Sequence, residues 1–103
     1  MTWHKAADIG DLTTKQVVGV EVNGQEIAIY KLDGVYYATS NICTHQFAFM
    51  SEGYLENGCI ECPLHQGIFD IKTGAVVDGP PEQSLKTFLV KIEGDAILVE
   101  MAD

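Results

Sequence analysis

VVGVEVNGQEIAIYKLDGVYYA, residues 17–38, sets two turn dipeptides, Asn23-Gly24 and Asp33-Gly34, between runs of β-branched and aromatic residues. Both central residues of a type I′ turn need positive φ, which Asn, Asp and Gly reach at low steric cost, so each dipeptide marks a tight hairpin. Ahead of the first turn, Val18, Val20 and Val22 alternate with Val17, Gly19 and Glu21. A period of two is the pattern of a half-buried strand. Residues 27–32 and 35–38 read as the strands that follow.

The same punctuation recurs at Asn57-Gly58, Thr73-Gly74 and Glu93-Gly94. Residues 59–62, 85–92 and 96–101 read as further strands, being mostly rich in β-branched or aromatic residues. Only residues 6–12 suggest a helical turn. Short strands, tight turns and no sustained helical period predict an all-β fold, an antiparallel sandwich or barrel-like domain. The strand signal thins over residues 40–82, where loops flank a short hairpin at Asn57-Gly58. That stretch closes with Asp78-Gly79-Pro80-Pro81, a rigid segment that cannot join a central strand. The expectation is a single domain spanning 1–103, with a subdomain at about 40–82 inserted into the sheet scaffold.

Composition narrows the function. At 103 residues, 47% hydrophobic and 20% charged, the chain has the make-up of a folded module too small for a separate substrate domain. Fifteen acidic against six basic residues give a net charge of −9, which repels phosphate backbones and anionic lipid. Neither nucleic acid nor membrane is an expected partner. The start, MTWHKAADIGDL, lacks the basic and apolar regions of a secretory signal, so a cytoplasmic location is expected. Three cysteines, Cys43, Cys59 and Cys62, are an odd number, and two stand beside histidines, which argues for metal binding over a disulfide framework.

The pattern is Cys43-Thr44-His45, sixteen residues, then Cys62-Pro63-Leu64-His65. Each run offers one thiolate and one imidazole, whereas zinc fingers usually group like ligands with like. If the runs face one another, the cysteines can meet on one iron and the histidines on the other, the ligand set of a [2Fe–2S] centre with Cys₂ and His₂ ends. A structural zinc site from the same four residues satisfies the ligand chemistry too, and only the crossed grouping argues against it. A Cys–His nucleophilic pair would leave the second run without a role. Buried cysteines with satisfied core histidines have no reason to adopt this spacing. Cys59, three residues before Cys62 and on the opposite strand face, reads as a structural thiol, and His4 as a surface residue.

At this point the sequence resembles the Rieske ferredoxins, whose pattern is C-x-H, a gap in the middle teens, then C-x-x-H. The likeness extends through Gly67, Phe69, Thr73-Gly74 and the proline segment. It implies the Rieske fold and one [2Fe–2S] cluster, with Cys43 and Cys62 on the inner iron and His45 and His65 on the outer. High-potential members carry an extra cysteine in each loop, joined as a disulfide, and Ser and Tyr hydroxyls donated to cluster sulfurs. The resemblance puts Ala48 and Leu64 at the cysteine positions, Gly67 at the serine and Phe69 at the tyrosine. Fewer donors and an acidic chain disfavour the added electron, which predicts a potential near the low end of the Rieske range of roughly −150 to +300 mV.

The role implied is a soluble low-potential carrier, not itself an enzyme. It takes single electrons from an NAD(P)H-dependent flavin reductase and gives them to a terminal aromatic-ring-hydroxylating oxygenase. The run CPLHQGIFD is similar to that of dioxygenase ferredoxins, while Gln46 after the first ligand histidine is similar to ferredoxins of some di-iron monooxygenases. A small Rieske-like subunit of a nitrite reductase is the other related role. Docking is expected to be transient and at the His45/His65 tip, with Gln46, Phe47, Leu64, Gln66, Pro80 and Pro81 as its rim and acidic residues such as Glu52 and Asp78 around it. Phe47, Phe49 and Met50 could equally pack as core behind the cluster.

Overall fold

The hairpins form at the three predicted dipeptides. A computed structural model describes residues 1–44, 47–64 and 67–102. In it φ is 51° and 79° at Asn23-Gly24, 50° and 80° at Asp33-Gly34, and 53° and 77° at Asn57-Gly58. The registers Val22↔Gln25, Leu32↔Val35 and Glu56↔Cys59 leave only those pairs in the loops, as type I′ turns require. Gly94 has φ 60° and its neighbour Asp95 does not take positive φ, the type II′ alternative.

The described residues form eleven strands: β1 (Thr2–Asp8), β2 (Val17–Val22), β3 (Gln25–Leu32), β4 (Val35–Ser40), β5 (Tyr54–Glu56), β6 (Cys59–Glu61), β7 (Ile68–Asp70), β8 (Val76–Asp78), β9 (Thr87–Phe88), β10 (Val90–Glu93) and β11 (Ala96–Met101). They form three antiparallel sheets, ordered β1-β11-β10, β2-β3-β4-β9 and β5-β6-β7-β8. The chain leaves the second sheet after β4, builds the whole third sheet, and returns as β9 beside β4 through Ala38↔Phe88 and Thr39↔Thr87. The third sheet is thus built between two neighbouring strands of the second. Among the described residues no helix is long and apolar enough to cross a membrane.

Strand β3 explains how the parts hold together. Ile27 and Ile29 belong to one apolar core, with Ile97, Val99 and Met101 of β11. Ala28 and Tyr30 point the other way, into a second core with Met50, Ile60 and Phe69 of the inserted region. All four are fully buried, so the middle of β3 reads as an unbroken apolar run, the signature of a strand covered on both faces. Each such large side chain contributes about 1.5–3 kcal/mol by leaving water. The second sheet is therefore a wall shared between the scaffold and the insertion.

Two expectations are corrected. Residues 85–92 are not one strand: β9 pairs in the second sheet and β10 in the first, and the chain changes sheets at Leu89, which is 67% exposed. An apolar run cannot say which sheet each side chain serves. The helical signal at residues 6–12 shrinks to a 3₁₀ turn at Ile9–Leu12, because Ala7 and Asp8 are taken into the ladder with Ile97 and Ala96. Strand β1 was hidden because its pairing partner lies at the far end of the chain.

Candidate metal centre

Cys43 and Cys62 each stand where an antiparallel pair of segments closes, and the two closures are alike. In the first, Ile42 pairs with Phe49 and the next residue inward, Cys43, donates its N–H to the Ala48 carbonyl at 2.9 Å. In the second, Glu61 pairs with Ile68 and Cys62 donates its N–H to the Gly67 carbonyl at 2.7 Å. The third sheet and the Met50–Glu52 turn carry these two tips. Cys43 is 3% exposed and Cys62 0%, and both belong to the second core. No disulfide joins the three cysteines. His45 and His65, with Gln46 and Gln66, lie outside the described residues.

Two buried thiols on equivalent tips, in one apolar core, suit the sulfur end of a metal cluster: thiolates need a shell that keeps water and competing donors away. Cys59 does not share that environment. Along β6 it is half-buried like Glu61, whereas Ile60 and Cys62 are buried, so alternation turns its side chain away from the core. It lines a surface groove of about 250 Å³ with Tyr54, Glu56 and Glu61.

Residues that sequence reading did not single out hold the first tip. Buried Asn41 accepts the Ser51 N–H on its side-chain oxygen at 2.7 Å and the Met50 N–H on its carbonyl at 2.7 Å, while its own N–H reaches the Glu26 carbonyl of β3 at 2.9 Å. Gly19 leaves the space: a Cβ there would stand 2.7 Å from Asn41 Nδ2 and 2.6 Å from Ser51 Oγ. No local sequence pattern announces this anchor, since its partners are far apart in the chain. Behind it, Thr39 Oγ1 donates to the Ser40 carbonyl (2.9 Å) and so accepts from the Tyr30 hydroxyl (2.8 Å). Burial pushes the Tyr30 hydroxyl up to about 12.

The predicted rim divides. Phe47 (71%) and Leu64 (65%) are exposed, as is Pro80. Pro81 is buried instead, because its ring is lodged against the backbone of Gly67. Phe49 is half-buried and meets Phe47 edge-on, centroids 5.3 Å apart, while Met50 is fully core. Ala48 is buried, Leu64 exposed, Gly67 has no side chain and Phe69 is buried without a hydroxyl, so none of these four positions supplies a sulfur or an O–H donor.

Comparison with known proteins follows the same outline. The family described as "Rieske [2Fe-2S] domain" matches residues 2–89. The ferredoxin component of the naphthalene 1,2-dioxygenase/salicylate 5-hydroxylase systems of Ralstonia sp. is 50% identical over 99 residues, covering 96% of this chain and 95% of that protein. The ferredoxin component of the naphthalene 1,2-dioxygenase system of Pseudomonas putida is 46% identical over 100 residues, 97% and 96% of the two chains. In a solved complex of reduced oxygenase and oxidized ferredoxin in carbazole 1,9a-dioxygenase, a chain superposes with a TM-score of 0.86 at 33% identity, covering 94% of this chain and 91% of that one.

Proposed function

This chain belongs to the Rieske [2Fe-2S] domain family, and on that premise we propose that it is the electron-carrying ferredoxin of an aromatic-ring-hydroxylating dioxygenase system. It takes single electrons from an NAD(P)H-dependent flavin reductase, delivers them to the terminal oxygenase, and makes no bond itself. The relatives at 46–50% identity are components of dioxygenase systems acting on naphthalene, which favours this role over the di-iron monooxygenase role suggested by Gln46. The single domain 1–103 works in the cytoplasm and holds one cluster.

The observation that carries the reading is the pair of identically closed tips with Cys43 and Cys62 buried together. Cys43 and Cys62 are assigned to one iron, His45 and His65 to the other. When bound, such a cluster supplies reversible one-electron chemistry. The protein's part is to hold the thiolates, to keep water from them with Met50, Ile60 and Phe69, and to offer exposed Phe47 and Leu64 beside the histidine positions for brief contact with a partner. The test is elemental analysis and spectroscopy of the purified protein, followed by reconstitution with reductase and oxygenase. Two irons and two acid-labile sulfides per chain, a reductant-bleached colour and ferredoxin-dependent NAD(P)H-driven turnover are expected. A colourless protein with one zinc and no sulfide would overturn the assignment.

A further inference from the structure

Strand β4 is left open along part of one edge. It pairs with β3 over its whole length, whereas β9 covers it only at Ala38 and Thr39. The Leu32↔Val35 pair closes a two-residue turn and exchanges both hydrogen bonds, so by alternation Tyr37 and Thr39 also bond towards β3, while Tyr36, Ala38 and Ser40 face away. The Ser40 N–H, given to the Lys86 carbonyl at 2.8 Å, fits that phase. Tyr36 therefore turns its N–H and C=O outward, beyond the end of β9, and among the described residues no backbone hydrogen bond reaches it on that side. The edge is open because the chain leaves for the first sheet at Leu89.

Beside this edge runs a groove of about 350 Å³, whose lining includes Tyr36, Tyr37, Ile71, Lys72, Phe88 and exposed Leu89. Tyr36 and Tyr37 project to opposite faces of β4, so a groove that both line opens along the strand's edge. Its charge is opposite to that of the molecule. Lysines stand over three of its rings: Lys72 over Tyr37 at 5.8 Å, Lys31 over Tyr36 at 5.8 Å and Lys86 over Phe88 at 5.1 Å. Asp33, and Asp8 with Asp95, line the adjoining grooves and not this one.

We propose that this groove docks an extended acidic segment of a partner protein, its main chain pairing with Tyr36 where β9 leaves off and its carboxylates meeting Lys72 and the lysines beside it. Outward N–H and C=O groups select a peptide in strand form, and an apolar groove beside them takes its alternate side chains. The lysines repel the same edge of a second copy, which leaves an acidic segment of another chain as the occupant. Ile71 and Lys72 follow β7 at its end away from Gly67, so a segment held here leaves the surface beside Cys62 free.

The probe is a fluorescein-labelled peptide of four Glu-Val repeats, titrated into the full chain at low salt and followed by anisotropy, with a Lys-Val peptide of equal length as control. The Glu-Val peptide should bind, weaken as salt rises and slow hydrogen exchange at the Tyr36 amide, and the Lys-Val peptide should do none of these. Lys72→Glu, at an exposed position, turns an attraction into a repulsion and should weaken binding about fivefold. A strand added to an edge points its amides alternately towards and away from it. N-methylation of one alternate set of peptide amides should therefore weaken binding about tenfold, and methylation of the other set should change it little. Equal effects of the two sets, with Tyr36 exchange unmoved, would mean charge attraction alone and overturn the docking edge, as would an unchanged affinity in Lys72→Glu. A free protein that sediments as a dimer with its Tyr36 amide already protected would make a second copy the occupant and overturn the proposal too.

Discussion

Tyr30 shows how one residue ties the two cores to pH. Its ring is fully buried on the insertion side of β3, and its hydroxyl titrates near 12 against an ordinary 10.0 because the charged form has lost its water. The folded state thus holds this proton after the unfolded state has begun to lose it. Stability from this group is complete below pH 10 and declines as pH rises to about 12, by on the order of 2 kcal/mol. Denaturant midpoints measured across that window should fall less steeply for Tyr30→Phe, and identical slopes would remove the claim. For the proposed ligands the matching prediction is electrostatic. His45→Cys or His65→Cys replaces a neutral imidazole by an anionic thiolate, so the variant should lose the cluster or shift in potential towards the plant-type value near −400 mV. Potentiometry showing an intact centre at its native potential would contradict the ligand assignment. Asn41→Ala strips Ser51 N–H of its acceptor and should cost about 1–3 kcal/mol in urea unfolding.

Among the elements, the turn between β7 and β8 is a tight junction. Gly74 has φ 77°, donates to the Asp70 carbonyl at 2.7 Å and accepts the Leu85 N–H at 2.8 Å, and an added Cβ would collide with the Leu85 carbonyl. The turn is thereby keyed to the segment leading into β9. Gly24 has a similar φ of 79° but nothing near the place a Cβ would take. Gly24→Ala should cost about 1–2 kcal/mol, the left-handed penalty alone, and Gly74→Ala more by the packing term. Equal losses in thermal or urea denaturation would mean that the turn is not keyed as described.

Across the whole molecule, charge is unevenly spread. Residues 40–71 hold Glu52, Glu56, Glu61 and Asp70 and no lysine. The described ion pairs, Lys5–Asp8 and Lys91–Glu93, lie on the first sheet, and Lys86 and Lys91 rest over Phe88 and Trp3 at 5.1 and 4.6 Å. The inserted region is left with a negative field that steers a basic partner surface towards it. Electron transfer from the proposed reductase should therefore slow as salt is added, most steeply below about 0.1 M, where the Debye length exceeds about 10 Å. A flat stopped-flow rate over that range would exclude steering.

The chain's own order of residues determined the hairpins and the supply of thiols and imidazoles, because a type I′ turn is chosen by two adjacent residues and a cysteine's chemistry belongs to the residue itself. Asn23-Gly24, Asp33-Gly34 and Asn57-Gly58 were legible for that reason. Tertiary structure alone decided what depends on distant partners. It paired β1 with β11, moved the chain between sheets at Leu89, buried Pro81 against Gly67 and made Asn41 an anchor. In each of these cases the deciding free energy comes from burying or hydrogen-bonding groups far apart in sequence, and no local run of residues carries that information.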